Sequence, residues 1–283
     1  MLQNPPTVLT IAGFDPSSGA GITADIKTIA AHGCYGVAVI TALTVQSTRG
    51  VRRVQPVDPG LVWDSLDELA GDVKVSAVHI GMLGSGEVAT KVADFVEKAG
   101  LPNLVLDPIL RSSSGAELLD ETGIKVLRER LLPMASVITP NAEEAATLIG
   151  RSGAVVVTIE DMKDAARELL EMGARRVVIT GGHLEKATDL LSLGSAGLQT
   201  FKADRLNSDC THGTGCAFST AIACHLAQGR SLEEAVLLAK AFVTAAIGNA
   251  YAIGKGQGPV NHMYRMKNHP GGFIKKLASG KGC

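Results

Sequence analysis

Cys210-Thr211-His212-Gly213-Thr214-Gly215-Cys216 joins an extended segment to Ala217-Phe218-Ser219-Thr220-Ala221-Ile222-Ala223, whose small residues read as the opening of a helix. Two glycines flank Thr214 where that helix begins. The first N–H groups of a helix lack intrahelical partners, and the macrodipole adds partial positive charge beside them. Glycine removes the Cβ that would hold an anion off the backbone, so Gly213 and Gly215 predict a phosphate-binding corner. Cys216 falls within the first helical turn. A thiol ionises more readily at a helix N-terminus, which makes Cys216 a proton acceptor for a substrate hydroxyl. The competing reading is a core cysteine, since free cysteine is among the most buried residue types.

Working outward, residues 7–12 form a short β-prone run, and the loop from Gly13 to Gly21 opens a helix reaching about His32. Gly19-Ala20-Gly21-Ile22-Thr23-Ala24 satisfies a loose dinucleotide-binding pattern, but no Asp or Glu occurs from Ile26 to Val57 to hold a ribose. A P-loop is absent as well. Residues 37–45 are apolar enough for a buried parallel strand that delivers Gln46 to its carboxyl end. A helix is expected over 58–71, and the strand over 75–80 runs into Met82. A further helix over 87–99 precedes a strand ending at Asp107. Residues 119–132 read as helical, and the strand 137–139 ends at Pro140-Asn141 with Glu144 at the next helix start. The helix 159–172 leads to a strand ending at Thr180-Gly181-Gly182-His183. Residues 189–193 and 198–203 suggest an antiparallel pair, and Ser231 with Glu234 fits a capping box for a helix to about Ala252.

This alternation predicts an α/β fold: a mainly parallel sheet covered on both faces, in one domain over 1–266 with a loose C-terminal tail over 267–283. Asp15, Gln46, Asp107, Asn141, Glu144 and Thr180 all fall at or just after strand ends, where ligands of such sheets bind. The 283 residues are 46% hydrophobic with a net charge of −1 and 4% aromatics, which points to a small-molecule ligand and away from nucleic acid or a membrane. The five cysteines form no Cys-x-x-Cys pair, so neither a zinc site nor a disulfide framework is expected. With no basic and apolar leader pattern at Met1 to Pro6, the expected location is cytoplasmic.

The run from Thr10 to Gly21 with Ala24-Asp25-Ile26-Lys27-Thr28 resembles the opening of the hydroxymethylpyrimidine/phosphomethylpyrimidine kinase family. So do Val39 to Gln46, Ile80-Gly81-Met82-Leu83, Leu106-Asp107-Pro108, Thr139 to Ala145, Gly181-Gly182-His183 and Thr211 to Cys216, all in family order. The resemblance implies a ribokinase-like three-layer α/β/α sandwich, a homodimer, and ATP-dependent phosphorylation of 4-amino-5-hydroxymethyl-2-methylpyrimidine to its monophosphate and diphosphate in thiamin biosynthesis. It implies that Gly13, Ala20, Gln46, Met82 and Ile109 line the pyrimidine pocket. Asn141 and Glu144 would position Mg²⁺, directly or through water, and Asp107 would assist phosphates and metal. Lys240, Thr180, Gly181, Thr211 and Thr214 would hold ATP with the Gly213–Gly215 corner. Thr180 replaces a lysine of the family pattern, Asp209 and Cys210 stand where Lys and Asn are common, and Phe14 replaces a small residue. The alternatives are a pyridoxal or pyridoxine kinase of the same superfamily and a pyrimidine sensor that has lost catalysis. The segment 112–115 is the expected lid over the substrate.

Overall fold

The computed structural model describes residues 4–151, 156, 158–182 and 186–268. The expected tail beyond 268 and His183 lie outside the described residues. Nine strands form one sheet in the order β3-β2-β1-β4-β5-β6-β7-β8-β9. They are β1 Thr7–Phe14, β2 Tyr35–Ser47, β3 Gly50–Pro56, β4 Val75–Ile80, β5 Leu104–Leu106, β6 Val137–Ile138, β7 Val177–Ile179, β8 Ala187–Ser192 and β9 Leu198–Ala203. Strands β2, β1, β4, β5, β6 and β7 run parallel, whereas β3, β8 and β9 join antiparallel at the two edges.

Alternation along the strands produces the layers, because successive side chains point to opposite faces. Val8, Ala77, Val105, Val137, Val178 and Leu191 pack under α1 Gly21–Ala31, α8 Thr214–Ala227 and α9 Leu232–Gly248. Their neighbours Leu9, Val78, Leu106, Ile138 and Ile179 face the opposite core. That core is covered by α2 Pro59–Asp72, α3 Gly86–Ala99, α4 Glu121–Val126, α5 Leu132–Met134, α6 Ala142–Leu148 and α7 Ile159–Glu171. The three-layer α/β/α sandwich is therefore as expected. Capping follows the sequence too: Asp58 accepts from Leu61 N to start α2, and Ser231 and Glu234 form the capping box of α9.

Three expectations need correction. Helix α9 stops at Gly248, short of Ala252, and Asn249 caps it. The helix expected over 119–132 starts only at Glu121, where the Asp120 carboxylate accepts from Gly123 N, and it passes through a π-turn, Leu127–Leu131, before α5. Strand β2 is not buried throughout: past Ala42 it leaves the interior and pairs with β3, which exposes Leu43 and Val45. Gln46 reaches the carboxyl end of β2, as expected, and lies there within the hairpin.

Candidate active site

A cavity of about 240 Å³ opens at the carboxyl edge of the parallel strands, and all six polar residues expected at strand ends line it. Thr44, Gln46 and Val51 of the hairpin form one wall, and the β1–α1 loop forms another. The sulfur of Met82 fills the space beside Gly13, where an added Cβ would come within 2.8 Å of Sδ. Ala20, Ile109, Thr211 and Thr214 complete the lining.

Helix α8 aims its N-terminus into this space. Gly213 is its N-cap at φ +80°, and no side chain caps the helix; Thr214 N donates back to Thr211 O at 3.3 Å, which leaves the N–H groups of Gly215 and Cys216 to the cavity. Only glycine fits here, since a Cβ would collide with the Gly19 carbonyl oxygen. Thr214 Oγ1 donates to Thr211 O at 2.6 Å and steadies the turn.

Cys216 lies in the first turn, as expected, but its thiol is not made acidic by that position. Burial, then the charges of Asp107 and Asp25, with Glu144 adding to them, push it well above its ordinary value, and the Gly21 N–H offsets only part of this. Lowering by the helix end is thus overridden by desolvation and neighbouring carboxylates.

Asp107 is the end of a buried chain that the sequence did not reveal. His79 Nδ1 lies 3.4 Å from Asp25 Oδ2, and His79 Nε2 is 3.0 Å from Ser219 Oγ. Ser219 Oγ in turn donates to Asp107 Oδ2 at 3.0 Å. Burial resists protonation of His79, yet the Asp25 and Asp107 carboxylates outweigh it and raise its pKa. Burial pushes Asp107 up to about 6, against the opposing pull of His79 and Ser219. Because Asp25, His79 and Ser219 belong to three separate elements, no sequence spacing could bring them together.

Asn141 and Glu144 form a capping box: Asn141 Oδ1 accepts from Glu144 N at 2.9 Å, and Glu144 Oε2 accepts from Asn141 N at 2.8 Å. The Asn-x-x-Glu pattern was available in the sequence. Glu144 is nearly buried, and burial with the Asp107 charge raises its pKa well above the carboxylate norm. Two facing buried carboxylates make a place where positive charge is favoured.

Lys240 is not free to meet a phosphate. Its Nζ lies 2.7 Å from Asp189 Oδ2 in a buried pair, in a second cavity of about 840 Å³ that shares Asn141, Thr180 and Gly215 with the first. Gly181 lines neither cavity; its N–H donates to Asp189 Oδ1 at 3.2 Å. The two therefore meet through Asp189, a residue whose role the sequence left unread. Residues 112–115 stand at the mouth, where Val51 N donates to Ser114 Oγ at 3.3 Å.

Comparison with known proteins places this geometry. The chain is 45% identical over 259 residues to a thiamine biosynthesis bifunctional protein of Geobacter sulfurreducens, covering 91% of this chain and 52% of that one, so it spans about half of that relative. It is 40% identical over 266 residues to the hydroxymethylpyrimidine/phosphomethylpyrimidine kinase of Haemophilus influenzae, covering 92% and 98% of the two chains. It also resembles the solved pyridoxal kinase from Staphylococcus aureus in complex with AMP-PCP and pyridoxal, with a TM-score of 0.84, 32% identity and coverage of 94% and 96%. The model of the phosphomethylpyrimidine kinase family matches residues 15–261, and the chain belongs to that family.

Proposed function

We propose that residues 1–266 act as one kinase domain that moves the γ-phosphoryl of ATP to the hydroxymethyl group of 4-amino-5-hydroxymethyl-2-methylpyrimidine. A second transfer then gives the diphosphate used for thiamin. The observation that carries this reading is the uncapped N-terminus of α8 opening onto the cavity lined by Gln46 and Met82. Phosphoryl transfer depends chiefly on positioning and charge stabilisation, and N–H groups at such a corner supply both.

Gln46 would meet the ring edge, Met82 the ring face, and Gly13, Ala20 and Ile109 the remaining outline. The turn from Thr211 to Gly215 would hold ATP phosphates, with Thr180 giving a hydroxyl where the family pattern has a charge. Lys240 joins them only by exchanging its Asp189 partner for phosphate. The residues present suit Mg²⁺, because the Asp107 charge raises the Glu144 pKa even though His79 offsets part of that charge. Among the described residues no group of three or more His, Cys, Asp or Glu could hold a metal alone, in keeping with a cation that uses substrate phosphates as ligands. Glu144 keeps one oxygen outside the capping box, whereas Asn141 serves better through water. Bound with ATP, Mg²⁺ neutralises developing phosphate charge. Cys216 would take the hydroxyl proton from its place in the first turn of α8, where burial and the Asp25 charge still oppose the thiolate.

The test is incubation with ATP, Mg²⁺ and the pyrimidine, with products resolved by mass. Monophosphate followed by diphosphate is the expected result, and unconsumed ATP overturns the reading. A pyridoxal kinase is the second reading, favoured by the likeness to the pyridoxal-bound structure. A higher kcat/KM on pyridoxal would establish it. The reading includes a cytoplasmic homodimer: Leu43 and Val45, 49% and 52% exposed, share one face of β2 and offer an apolar contact. Sedimentation should find a dimer that Leu43→Asp weakens. Among the described residues no helix is long and apolar enough to cross a membrane.

A further inference from the structure

His212 precedes the phosphate-holding turn, but its ring points away toward the substrate loop. The backbone is pinned on both sides, with His212 N donating to Gly258 O at 3.0 Å and Val260 N donating to His212 O at 3.3 Å. The ring packs against Gly19, where any Cβ would collide with it. His212 Nε2 lies 3.0 Å from Asp15 Oδ2 and 3.3 Å from Gln46 Nε2.

Asp15 is 3% exposed and surrounded by donors. Oδ1 accepts from Ser17 N at 2.8 Å and Ser17 Oγ at 2.7 Å; Oδ2 accepts from Ala20 N at 2.9 Å and Gly19 N at 3.2 Å. Burial raises its pKa, but the His212 and Ser17 hydrogen bonds with that of Ala20 hold it below the usual carboxylate range. A carboxylate at 3.0 Å requires that His212 Nε2 carry a hydrogen, since two lone pairs would repel there.

That assignment decides the Gln46 amide. An N–H on His212 cannot receive a hydrogen from Gln46 Nε2. At the other end of the amide, Thr44 Oγ1 is 3.1 Å from Gln46 Oε1 and 3.0 Å from Phe14 O, and its one hydrogen can serve only one of these two acceptors. A half-turn of the amide puts its NH₂ toward Thr44 Oγ1, which then donates to Phe14 O alone, and its oxygen toward the Nε2–H of His212, whose single hydrogen is shared between this oxygen and Asp15 Oδ2. One lone pair and one N–H then remain for the cavity, side by side in a fixed order.

We propose that His212, held by Asp15, is the positioning residue that fixes the order in which Gln46 presents its acceptor and donor, and so selects a ring bearing an amino N–H beside a ring nitrogen. This rests on the reading that the cavity takes a hydroxymethyl heterocycle. An aminopyrimidine edge satisfies both amide groups. Pyridoxal presents a formyl oxygen and then a hydroxyl beside its hydroxymethyl group, acceptor and donor in the reverse order, so an amide held in one order mismatches it, a loss that discriminates strongly in a closed site. Without the lock the amide turns freely, so selectivity falls further than turnover.

The experiment compares kcat and KM for the aminopyrimidine and for pyridoxal in the wild type and in His212→Phe, which keeps a ring against Gly19 but has no Nε2. The expected result is an aminopyrimidine KM raised about 10–100-fold with a smaller change in kcat, and a preference over pyridoxal reduced about 10-fold or more. An equal loss on both substrates overturns the inference. Should His212→Phe not fold, Thr44→Val frees the amide from its other end and shifts the preference in the same direction; an unchanged preference in that variant overturns the inference. Calorimetry of aminopyrimidine binding separates the two layers: weaker binding in the variant of a protein that consumes no ATP supports the positioning role while the kinase reading falls.

Discussion

Cys216 and Cys224 lie on the same helix, α8, and burial pushes both thiols well above their ordinary value, yet their surroundings share little else. Cys216 lines the cavity, with Asp107, Asp25 and Glu144 adding negative charge around it. Cys224 is sealed at the far end of the helix against the thiol of Cys34, where Gln228 Nε2 donates to His32 O at 2.7 Å and closes the layer. The Cys34 thiol is lowered chiefly by Cys224, although burial opposes it. The contrast teaches that burial alone makes a thiol inert, and that what opens onto it decides whether it acts.

The sharpest way to break this comparison is to remove each thiol. Cys216→Ala should lower kcat by about 10²–10⁴-fold while leaving pyrimidine affinity largely intact, the range expected for a general base. Cys224→Ala should keep kcat and lose only about 1 kcal/mol in denaturant unfolding, as for a small buried group. Equal kinetics in the two variants would take Cys216 out of the chemistry.

Next in size is the buried pair behind the cavity. Lys240→Ala strands Asp189, which should cost about 3–5 kcal/mol of stability by chemical denaturation. Lys240→Met with Asp189→Leu should recover much of it. Gly213→Ala strains the αL N-cap and displaces the Gly19 loop, so kcat should fall about 10²–10³-fold, as when one preorganised donor is lost.

The last effect, graded by pH, belongs to the closed end, where His32 Nδ1 lies 2.7 Å from Thr28 O and its ring centroid is 4.5 Å from that of Phe242. Burial, outweighing the Thr28 hydrogen bond, lowers the His32 pKa to about 4. The unfolded chain binds a proton below about pH 6.5 that the folded protein refuses, so stability present at neutral pH is lost as pH falls from about 6.5 to 4. His262 adds the same sign, and Asp107, whose pKa is raised, the opposite sign. His32→Phe isolates one group: between those two pH values the wild type should lose on the order of 3 kcal/mol more than the variant.

The sequence made the layers and the helix starts legible because both are local patterns. Apolar strand runs, the Asp58 cap and the Ser231 box needed only near neighbours. Strand β3 escaped because Gly50–Pro56 carries Arg52 and Arg53 and shows no apolar face. The partner change of β2 escaped because Leu43 and Val45 look like core in a list of residue types. Within the site, residues tied to the chain's own turn were readable, as Gly213, Gly215 and Cys216 show. Asp25, His79 and Asp189 were not, since each acts across distances in sequence that no spacing encodes. The acidity expected of Cys216 failed for the same reason: burial and carboxylates from α1, α6 and the loop after β5 oppose it.

The hairpin of β2 and β3 overhangs the cavity; Thr44 and Gln46 anchor its base, and its outer part is tied by few bonds. Val51 N reaches Ser114 Oγ at 3.3 Å, and Gly256 N reaches Thr48 Oγ1 at 3.2 Å, both at exposed positions. Each such bond contributes roughly 1 kcal/mol at most in water. The outer turn can therefore part from its neighbours at little cost while the parallel strands beneath it keep their ladder.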